Sequence, residues 1–349
     1  MKQSKWMQLP RSVVIGHDVL FEVANVCKEL KLSGSAVVVS GSNTRRCGGE
    51  KIFDILSDEG YDVQITEARS TNDYDINEVV TVVEEVRADF MLGVGGGKAI
   101  DVSKYISYSF DIPFISVPTA AAHDGIVSFT ASVIQEGQKV SIPAQAPLGI
   151  IADTSIISSA PKRLMAAGCG DIISNYTAVK DWELATKLRN EVYSEYAAAL
   201  SEMTAKIILD KAEIMKPGLE EAVRTVVKAL VSSGVAMSIA GSSRPGSGSE
   251  HKFSHALDKI VDKPALHGEQ CGVGSIMMMY LHGGDWKAIR DSLRMIGAPI
   301  NAKELGIREE FIIEALVHAH EIRGERYTIL GPGLTESAAE KLAVATGVI

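Results

Sequence analysis

The sequence has little of several features that would assign it to a particular class of protein. Its 349 residues include only four cysteines, at positions 27, 47, 169 and 271, with no Cys-x-x-Cys pair. This spacing argues against a disulfide framework and a thiolate zinc cluster, and it favours a reducing, cytoplasmic compartment. Lys and Arg total 35 against 44 Asp and Glu. We therefore expect no general affinity for nucleic acid or anionic lipid.

Long apolar runs are also missing. No stretch approaches the roughly 18 apolar residues that a membrane-spanning helix needs, and the apolar region 229–240 is interrupted by Ser232, Ser233 and Gly234. Residues 1–6 contain no apolar segment of the kind found in a signal peptide. We therefore expect neither a membrane span nor a secretion signal. The 46% of apolar residues are instead enough for a large buried core.

Short apolar runs alternate with amphipathic segments over the first part of the chain. The runs that predict strands are residues 13–16, 35–40, 61–65, 90–94 and 114–117. Because single predicted helices separate these strands, we expect a parallel sheet with right-handed crossovers. Beyond about residue 160 the pattern is one of long helices, as at 164–188 and 219–240. The sequence thus predicts an α/β domain over residues 1–160 and an all-helical domain over residues 161–349.

Two loops rich in small residues follow neighbouring predicted strands. The first, GVGGGK at 93–98, opens a helix, and the second is PTAAAHDG at 118–125. Glycines let a ligand approach the backbone, and a helix N-terminus attracts a pyrophosphate. Because ligands of open α/β sheets bind at the carboxyl ends of the strands, both loops are expected to line one crevice. The alternative is a pair of tight turns without a ligand, since the spacing matches neither G-x-G-x-x-G nor a P-loop.

A group of histidines predicts a metal site. His251 and His255 are four residues apart on a predicted helix, and His267 follows shortly. Spacing alone favours His251 and His255 as a ligand pair on one helix face. Asp171, which follows Gly170, is a candidate carboxylate ligand because a glycine leaves room for an ion. The alternative is an exposed helix face with ordinary histidines.

Three segments carry a resemblance to a known family. They are GVGGGKAID at 93–101, PFISVPTAAAHDG at 113–125 and SRPGSGSEH at 243–251. Together they resemble the iron-containing alcohol dehydrogenases, glycerol dehydrogenases and dehydroquinate synthases, and most closely the archaeal-type sn-glycerol-1-phosphate dehydrogenases. The resemblance extends over nearly the whole chain. It implies a Rossmann-like dinucleotide-binding domain, a helical metal- and substrate-binding domain, and an active site in the cleft between them.

The resemblance also implies the roles of individual residues. It implies one zinc ion per subunit, held by Asp171, His251 and His267, in place of the pair that spacing favours. His255 and Asp124 would act in catalysis and contact substrate, and Asp171 would also lie at the substrate. The implied dinucleotide-binding residues are Gly95, Gly96, Gly97, Lys98, Ala99, Ile100, Asp101, Thr119, Ala120, Ala121, Ala122 and Ser128.

The implied reaction is the zinc-dependent reduction of dihydroxyacetone phosphate to sn-glycerol 1-phosphate with NAD or NADP as cofactor, for archaeal membrane phospholipids. His255 or His123 would supply the proton, and Arg244, Arg323 and Arg326 are candidates for the substrate phosphate. We expect a small-molecule substrate and a homo-oligomer. Alternatives are a glycerol or polyol dehydrogenase, a dehydroquinate synthase-like lyase, and a non-catalytic nucleotide-binding or metal-sensing protein.

The residues at the end of the second predicted strand indicate whether the protein uses NAD, NADP or both. Many dinucleotide-binding folds place an acidic residue there, on the ribose 2′-hydroxyl, which disfavours the 2′-phosphate of NADP. Here the strand ends at Ser40-Gly41, and Arg45 and Arg46 follow. We therefore predict comparable kcat/KM values for NADH and NADPH in steady-state assays. Activity with NADH alone would contradict this prediction.

Overall fold

The structure is a computed structural model that describes residues 7–216 and 218–349. Residues 1–6, where we expect no signal segment, lie outside the described part. The chain divides into two compact units, the first ending at Pro161 and the second spanning Lys162–Ile349.

The described part of the first unit is built on a six-stranded parallel sheet. The sheet strands are β1 Ser12–Gly16, β2 Ser35–Ser40, β3 Asp62–Glu67, β4 Phe90–Gly95, β5 Phe114–Pro118 and β8 Gly149–Asp153. Their order across the sheet is β1-β8-β5-β4-β2-β3. The α-helices of this unit are α1 Val23–Glu29, α2 Ser42–Thr44, α3 Glu50–Asp58, α4 Asp73–Val86, α5 Gly97–Phe110 and α6 Thr154–Ser159. The expected parallel α/β architecture is confirmed.

Strand β2 shows why an uninterrupted apolar run predicts a central strand. Ala36 and Val38 belong to the core on one face of the sheet, whereas Val37 and Val39 belong to the core on the other. Because successive side chains of a strand point to opposite faces, a strand covered on both sides must be apolar at every position.

A two-stranded antiparallel hairpin, β6 Thr130–Gln135 and β7 Gln138–Pro143, was not predicted. Its two-residue turn has φ of 51° at Glu136 and 77° at Gly137, the left-handed backbone that hairpin turns require. Glutamate is an unusual residue in that conformation. The turn therefore lacked the Asn-Gly or Asp-Gly signal that normally marks a hairpin.

In its described residues the second unit has helices and no strand. They are α7 Lys162–Arg189, α8 Glu195–Asp210, α9 Glu220–Ala240, α10 Ser249–Ile260, α11 His267–Leu281, α12 Trp286–Ile296, α13 Ala302–Leu305, α14 Glu309–His318 and α15 Glu336–Thr346. This confirms the expected helical second half. Helix α9 is long and apolar enough, with a mean hydropathy of 1.4, to satisfy a membrane-span criterion, but 61% of that window is buried within the protein. A core helix has the same properties.

Helices α7 and α11 approach so closely that only glycine fits at their crossing. A Cβ on Gly170 would lie 2.4 Å from the Gly268 carbonyl oxygen, and a Cβ on Gly268 would lie 1.9 Å from the Ala167 carbonyl oxygen. Real Cβ atoms do not approach other atoms to these distances. Asp171 and His267 are the sequence neighbours of the two glycines, so the crossing also decides how far apart these two side chains lie.

We predict that Gly268→Ala lowers the free energy of unfolding by about 1–3 kcal/mol or more, because the added methyl group overpacks the crossing. Urea denaturation followed by circular dichroism measures the change. Gly324→Ala is the matched control, since a Cβ there meets only the Glu321 carbonyl oxygen, at 3.8 Å. A Gly268→Ala protein as stable as the control would contradict the prediction.

Candidate metal centre and dinucleotide loops

Four potential metal donors of the second unit converge on one point. Asp171 from α7, His251 from α10, and His267 and Cys271 from α11 each offer a donor atom, and these atoms all lie within 4.8 Å of one another. Asp171 Oδ1 lies 3.9 Å from Nε2 of His251 and 3.7 Å from Nε2 of His267. Asp171 and His251 are buried.

The second ring nitrogen of each histidine is held by a polar side chain. Nδ1 of His251 lies 2.9 Å from the Glu250 carboxylate, to which it donates. Nδ1 of His267 lies 3.1 Å from Ser254 Oγ. Because the Ser254 hydroxyl donates its own proton to Gln270 Oε1 at 2.7 Å, its oxygen accepts from Nδ1. Neutral rings that donate through Nδ1 present an Nε2 lone pair, which is the form that binds a metal.

Glu250 is itself fixed inside the unit. Its side chain is fully buried and accepts hydrogen bonds from Thr177 Oγ1 at 2.7 Å and the Gly248 backbone N–H at 2.6 Å. A buried carboxylate that accepts hydrogen bonds from several donors is fixed in orientation. It therefore fixes the His251 ring as well.

The donor set fits a zinc ion. For tetrahedral zinc with bonds of about 2.0–2.1 Å to nitrogen or oxygen and about 2.3 Å to sulfur, neighbouring ligand atoms lie about 3.3–3.6 Å apart. The distances of 3.7 and 3.9 Å from Asp171 to the two Nε2 atoms need only small adjustments. Imidazole and carboxylate donors also suit iron and nickel.

His255 lies beside these donors without being one of them. Its ring is 6.4 Å from that of His251 and stacks on that of His267 at 5.7 Å, centroid to centroid. The convergent donors therefore include His267 rather than His255, in contrast to the pair that spacing favours.

The two loops expected at the dinucleotide lie side by side at one edge of the sheet. Gly95 at the end of β4 pairs in register with Pro118 at the end of β5, and the Thr119 backbone N–H donates to the Gly95 carbonyl at 3.0 Å. Gly97 opens α5, and a Cβ there would lie 2.5 Å from Nε2 of His123. A larger residue at position 97 would therefore require the His123 ring to move.

The other residues of the two loops differ in exposure. Lys98 is exposed and its Nζ lies 3.4 Å from the Arg69 carbonyl oxygen, whereas Gly96 and Ala122 are half-buried. The buried positions are Ala99, Ile100, Asp101, Thr119, Ala120, Ala121 and Ser128. A Cβ on Gly96 would meet no atom within 4 Å, so there is open space for a ligand beside this glycine.

A buried lysine that the sequence reasoning missed ties the second loop to α5. Lys104 Nζ donates to the carbonyl oxygens of Gly125 at 2.6 Å and Thr130 at 2.8 Å, and lies 3.4 Å from Asp101. Burial lowers the pKa of Lys104, and the Asp101 carboxylate opposes that effect. The position of Lys104, one turn after Asp101, was the available signal.

His123 is neutral and directed at the glycine loop. Burial lowers its pKa, against the opposing effect of the Asp101 and Asp124 carboxylates. Nδ1 accepts a hydrogen bond from the Gly125 backbone N–H at 3.1 Å, so the ring proton lies on Nε2, next to Gly97. Asp124 begins the short 3-10 turn Asp124–Ile126 in the same loop.

An acidic residue near the end of β2 also escaped the sequence reasoning. Glu67, at the end of β3, pairs in register with Ser40 and accepts a hydrogen bond from the Ser42 hydroxyl. Arg45 and Arg46 bond to side chains of their own segment. One acidic side chain, Glu67, and two basic ones, Arg45 and Arg46, therefore lie near the end of β2, where the adenosine ribose of a dinucleotide would bind.

Comparisons with known proteins identify the family of this chain. The family model for iron-containing alcohol dehydrogenase matches residues 14–161. A glycerol-1-phosphate dehydrogenase [NAD(P)+] of Methanosarcina mazei is 60% identical over 99% of this chain and 97% of its own, and that of Methanosarcina acetivorans is 58% identical with the same coverage. The chain belongs to the glycerol-1-phosphate dehydrogenases, within the iron-containing alcohol dehydrogenase family.

Two solved structures of other enzymes share the fold. Glycerol dehydrogenase from Schizosaccharomyces pombe superposes with a TM-score of 0.82 at 22% identity, over 99% of this chain and 91% of that one. Sulfoacetaldehyde reductase from Bifidobacterium kashiwanohense, solved with NAD+, gives a TM-score of 0.75 at 18% identity, over 99% of each chain.

Arg244 and Arg326, two of the arginines considered for a substrate phosphate, donate hydrogen bonds within the protein. The Arg244 guanidinium donates hydrogen bonds to both carboxylate oxygens of Glu191 and to the Tyr327 backbone carbonyl. Arg326 donates to a carbonyl and a hydroxyl of segment 243–247. Burial lowers the pKa of Arg323. The contacts of Arg244 and Arg326 hold the loop that leads into α10.

We predict that Glu250→Gln weakens zinc binding by roughly 10–100-fold, because the amide no longer fixes and polarises the His251 ring as a carboxylate does. Competition with a chromogenic chelator measures the dissociation constant. Glu340→Gln, an exposed change on α15, is the control. Equal affinities for the two variants would contradict the role given to Glu250.

Proposed function

We propose that this protein is a zinc-dependent glycerol-1-phosphate dehydrogenase that reduces dihydroxyacetone phosphate to sn-glycerol 1-phosphate with NADH or NADPH. The observation that carries the proposal is the convergence of Asp171, His251 and His267 in a chain so similar to proteins of that name. The product would supply the glycerophosphate backbone of archaeal membrane phospholipids.

Each part of the proposed reaction has residues suited to it. Asp171, His251 and His267 would hold zinc, which supplies a Lewis acid for the substrate carbonyl. Residues 95–101, 119–122 and 128 would hold the nicotinamide dinucleotide, which supplies the hydride. The small side chains and free space at Gly96 support close approach of a pyrophosphate to the N-terminus of α5.

We assign the proton that reaches the carbonyl oxygen to His255. It lies one helical turn beyond His251, and its ring stacks on that of His267, so it lies next to the metal donors without being one. Imidazole is the side chain best suited to exchange a proton near neutral pH. Asp124 is assigned to a substrate hydroxyl.

Dihydroxyacetone phosphate is favoured over an unphosphorylated substrate because the relatives with more than half their residues identical are named for the phosphorylated product. The solved glycerol dehydrogenases share this chain's fold at far lower identity, which carries no argument about substrate.

We predict net oxidation of NADH or NADPH with dihydroxyacetone phosphate, abolished by a chelator and restored by zinc. Absorbance at the nicotinamide band follows the reaction, and an enantiospecific assay identifies the product as sn-glycerol 1-phosphate. Dihydroxyacetone as a better substrate would indicate a polyol dehydrogenase. No net oxidation would indicate a lyase or a binding protein.

A pair of histidine variants isolates the proton-transfer step in the same assay. His255→Asn should lower kcat by roughly 10²–10⁴-fold, the usual contribution of a general acid, while bound zinc stays at the wild-type level. His318→Asn, at an exposed histidine on α14 whose ring contacts Glu321, should leave kcat unchanged. An unchanged kcat in His255→Asn would refute the assignment.

A further inference from the structure

Gln270 is a buried glutamine between the two helices that carry the histidine donors. It lies on α11, three residues after His267, and its side chain is 1% exposed. Its amide contacts Ser254 and Asp258, which lie four residues apart on α10. Ser254 is fully buried and is also the side chain that holds Nδ1 of His267. Gln270 therefore reaches the His267 ring through one hydroxyl group.

The orientation of the Gln270 amide is fixed by a backbone carbonyl. Its nitrogen Nε2 lies 3.0 Å from the Ala265 carbonyl oxygen and 3.1 Å from Asp258 Oδ1. A backbone carbonyl can only accept a hydrogen bond, so the amide N–H groups must face this side. The opposite orientation would place the amide oxygen against the Ala265 carbonyl oxygen with no proton between them. The amide oxygen of Gln270 therefore faces Ser254 and lies 2.7 Å from its Oγ.

This orientation decides which nitrogen of the His267 ring carries the proton. An amide oxygen can only accept, so Ser254 must donate its single hydroxyl proton to Gln270. The Ser254 oxygen then accepts from Nδ1 of His267, at 3.1 Å. Nε2 keeps its lone pair and lies 3.7 Å from Asp171 Oδ1, among the convergent donors. A reversed amide would make Ser254 donate to Nδ1, and the neutral ring would then present an N–H at Nε2.

We propose that Gln270 is a positioning residue of the metal centre, because the direction of its amide selects the His267 tautomer that binds a metal. An imidazole binds a metal only through an unprotonated nitrogen. A ring protonated on Nε2 must therefore move that proton before it binds. Gln270 acts on the ring through Ser254, and on the ion only through the ring. This inference rests on the proposed function, which places zinc at Asp171, His251 and His267.

Nitrogen-15 NMR of the metal-free protein tests the tautomer directly. Protein labelled with 15N-histidine is measured at a pH at which the His267 ring is neutral, and the His267→Gln variant identifies its signals. Wild type should show a protonated Nδ1 and an unprotonated Nε2. In Gln270→Met the Ser254 hydroxyl is released to donate to the ring, so the form protonated on Nε2 should appear. Wild-type His267 protonated on Nε2 would overturn the inference, even if the variants fold poorly.

A double-mutant cycle separates positioning from a general structural effect. Gln270→Met should weaken zinc binding in a chelator competition by roughly 10–100-fold, as other substitutions of groups that orient a metal ligand do. In a Ser254→Ala background the same change should have no further effect, because the link to His267 is already missing. Gln138→Met, an exposed change on β7, is the control. Equal losses of affinity in both backgrounds would overturn the inference.

The outcomes distinguish a failure of this inference from a failure of the proposed function. The tautomer is measured without zinc and without an activity assay. Zinc binding that is lost in Asp171→Asn but unchanged in Gln270→Met would overturn the inference and leave the proposed function standing. Wild-type protein that binds no more zinc than Asp171→Asn would overturn the proposed function, and the role of Gln270 at the metal with it.

Discussion

The backbone contact between α7 and α11 is the constraint on which the proposed metal centre depends. Gly170 and Gly268 leave no room for a Cβ at the crossing, and interiors packed this tightly transmit small displacements rather than absorb them. Asp171 and His267 are the residues next to these glycines. Backbone proximity of the two helices therefore brings a carboxylate from one helix within reach of an imidazole from the other.

Hydrogen bonds orient the histidine rings that helix packing brings close to Asp171. Glu250 and Ser254 each accept from Nδ1 of a histidine, so both rings turn the same nitrogen toward Asp171. A ring held at one nitrogen loses little freedom when the other binds an ion, which strengthens metal binding. The same logic applies in the first unit, where Lys104 holds the loop that carries His123 over the glycines.

The pattern of apolar residues predicted the fold well because it follows which side chains are buried. The run from Ala36 to Val39 is apolar at every position, as a strand covered on both faces must be. The metal donors were harder, because spacing detects only residues close along the chain. It paired His251 with His255, whereas the structure brings together side chains of three helices. Gln270 escaped notice because a lone glutamine carries no signal until the fold shows its partners.

Anomalous X-ray diffraction at the zinc edge tests the central claim most directly, because it locates the ion without assuming its ligands. In crystals grown with zinc, the account predicts a single strong peak within bonding distance of Asp171, His251 and His267. A peak bound by His251 and His255 without Asp171, or no peak in this part of the second unit, would contradict it.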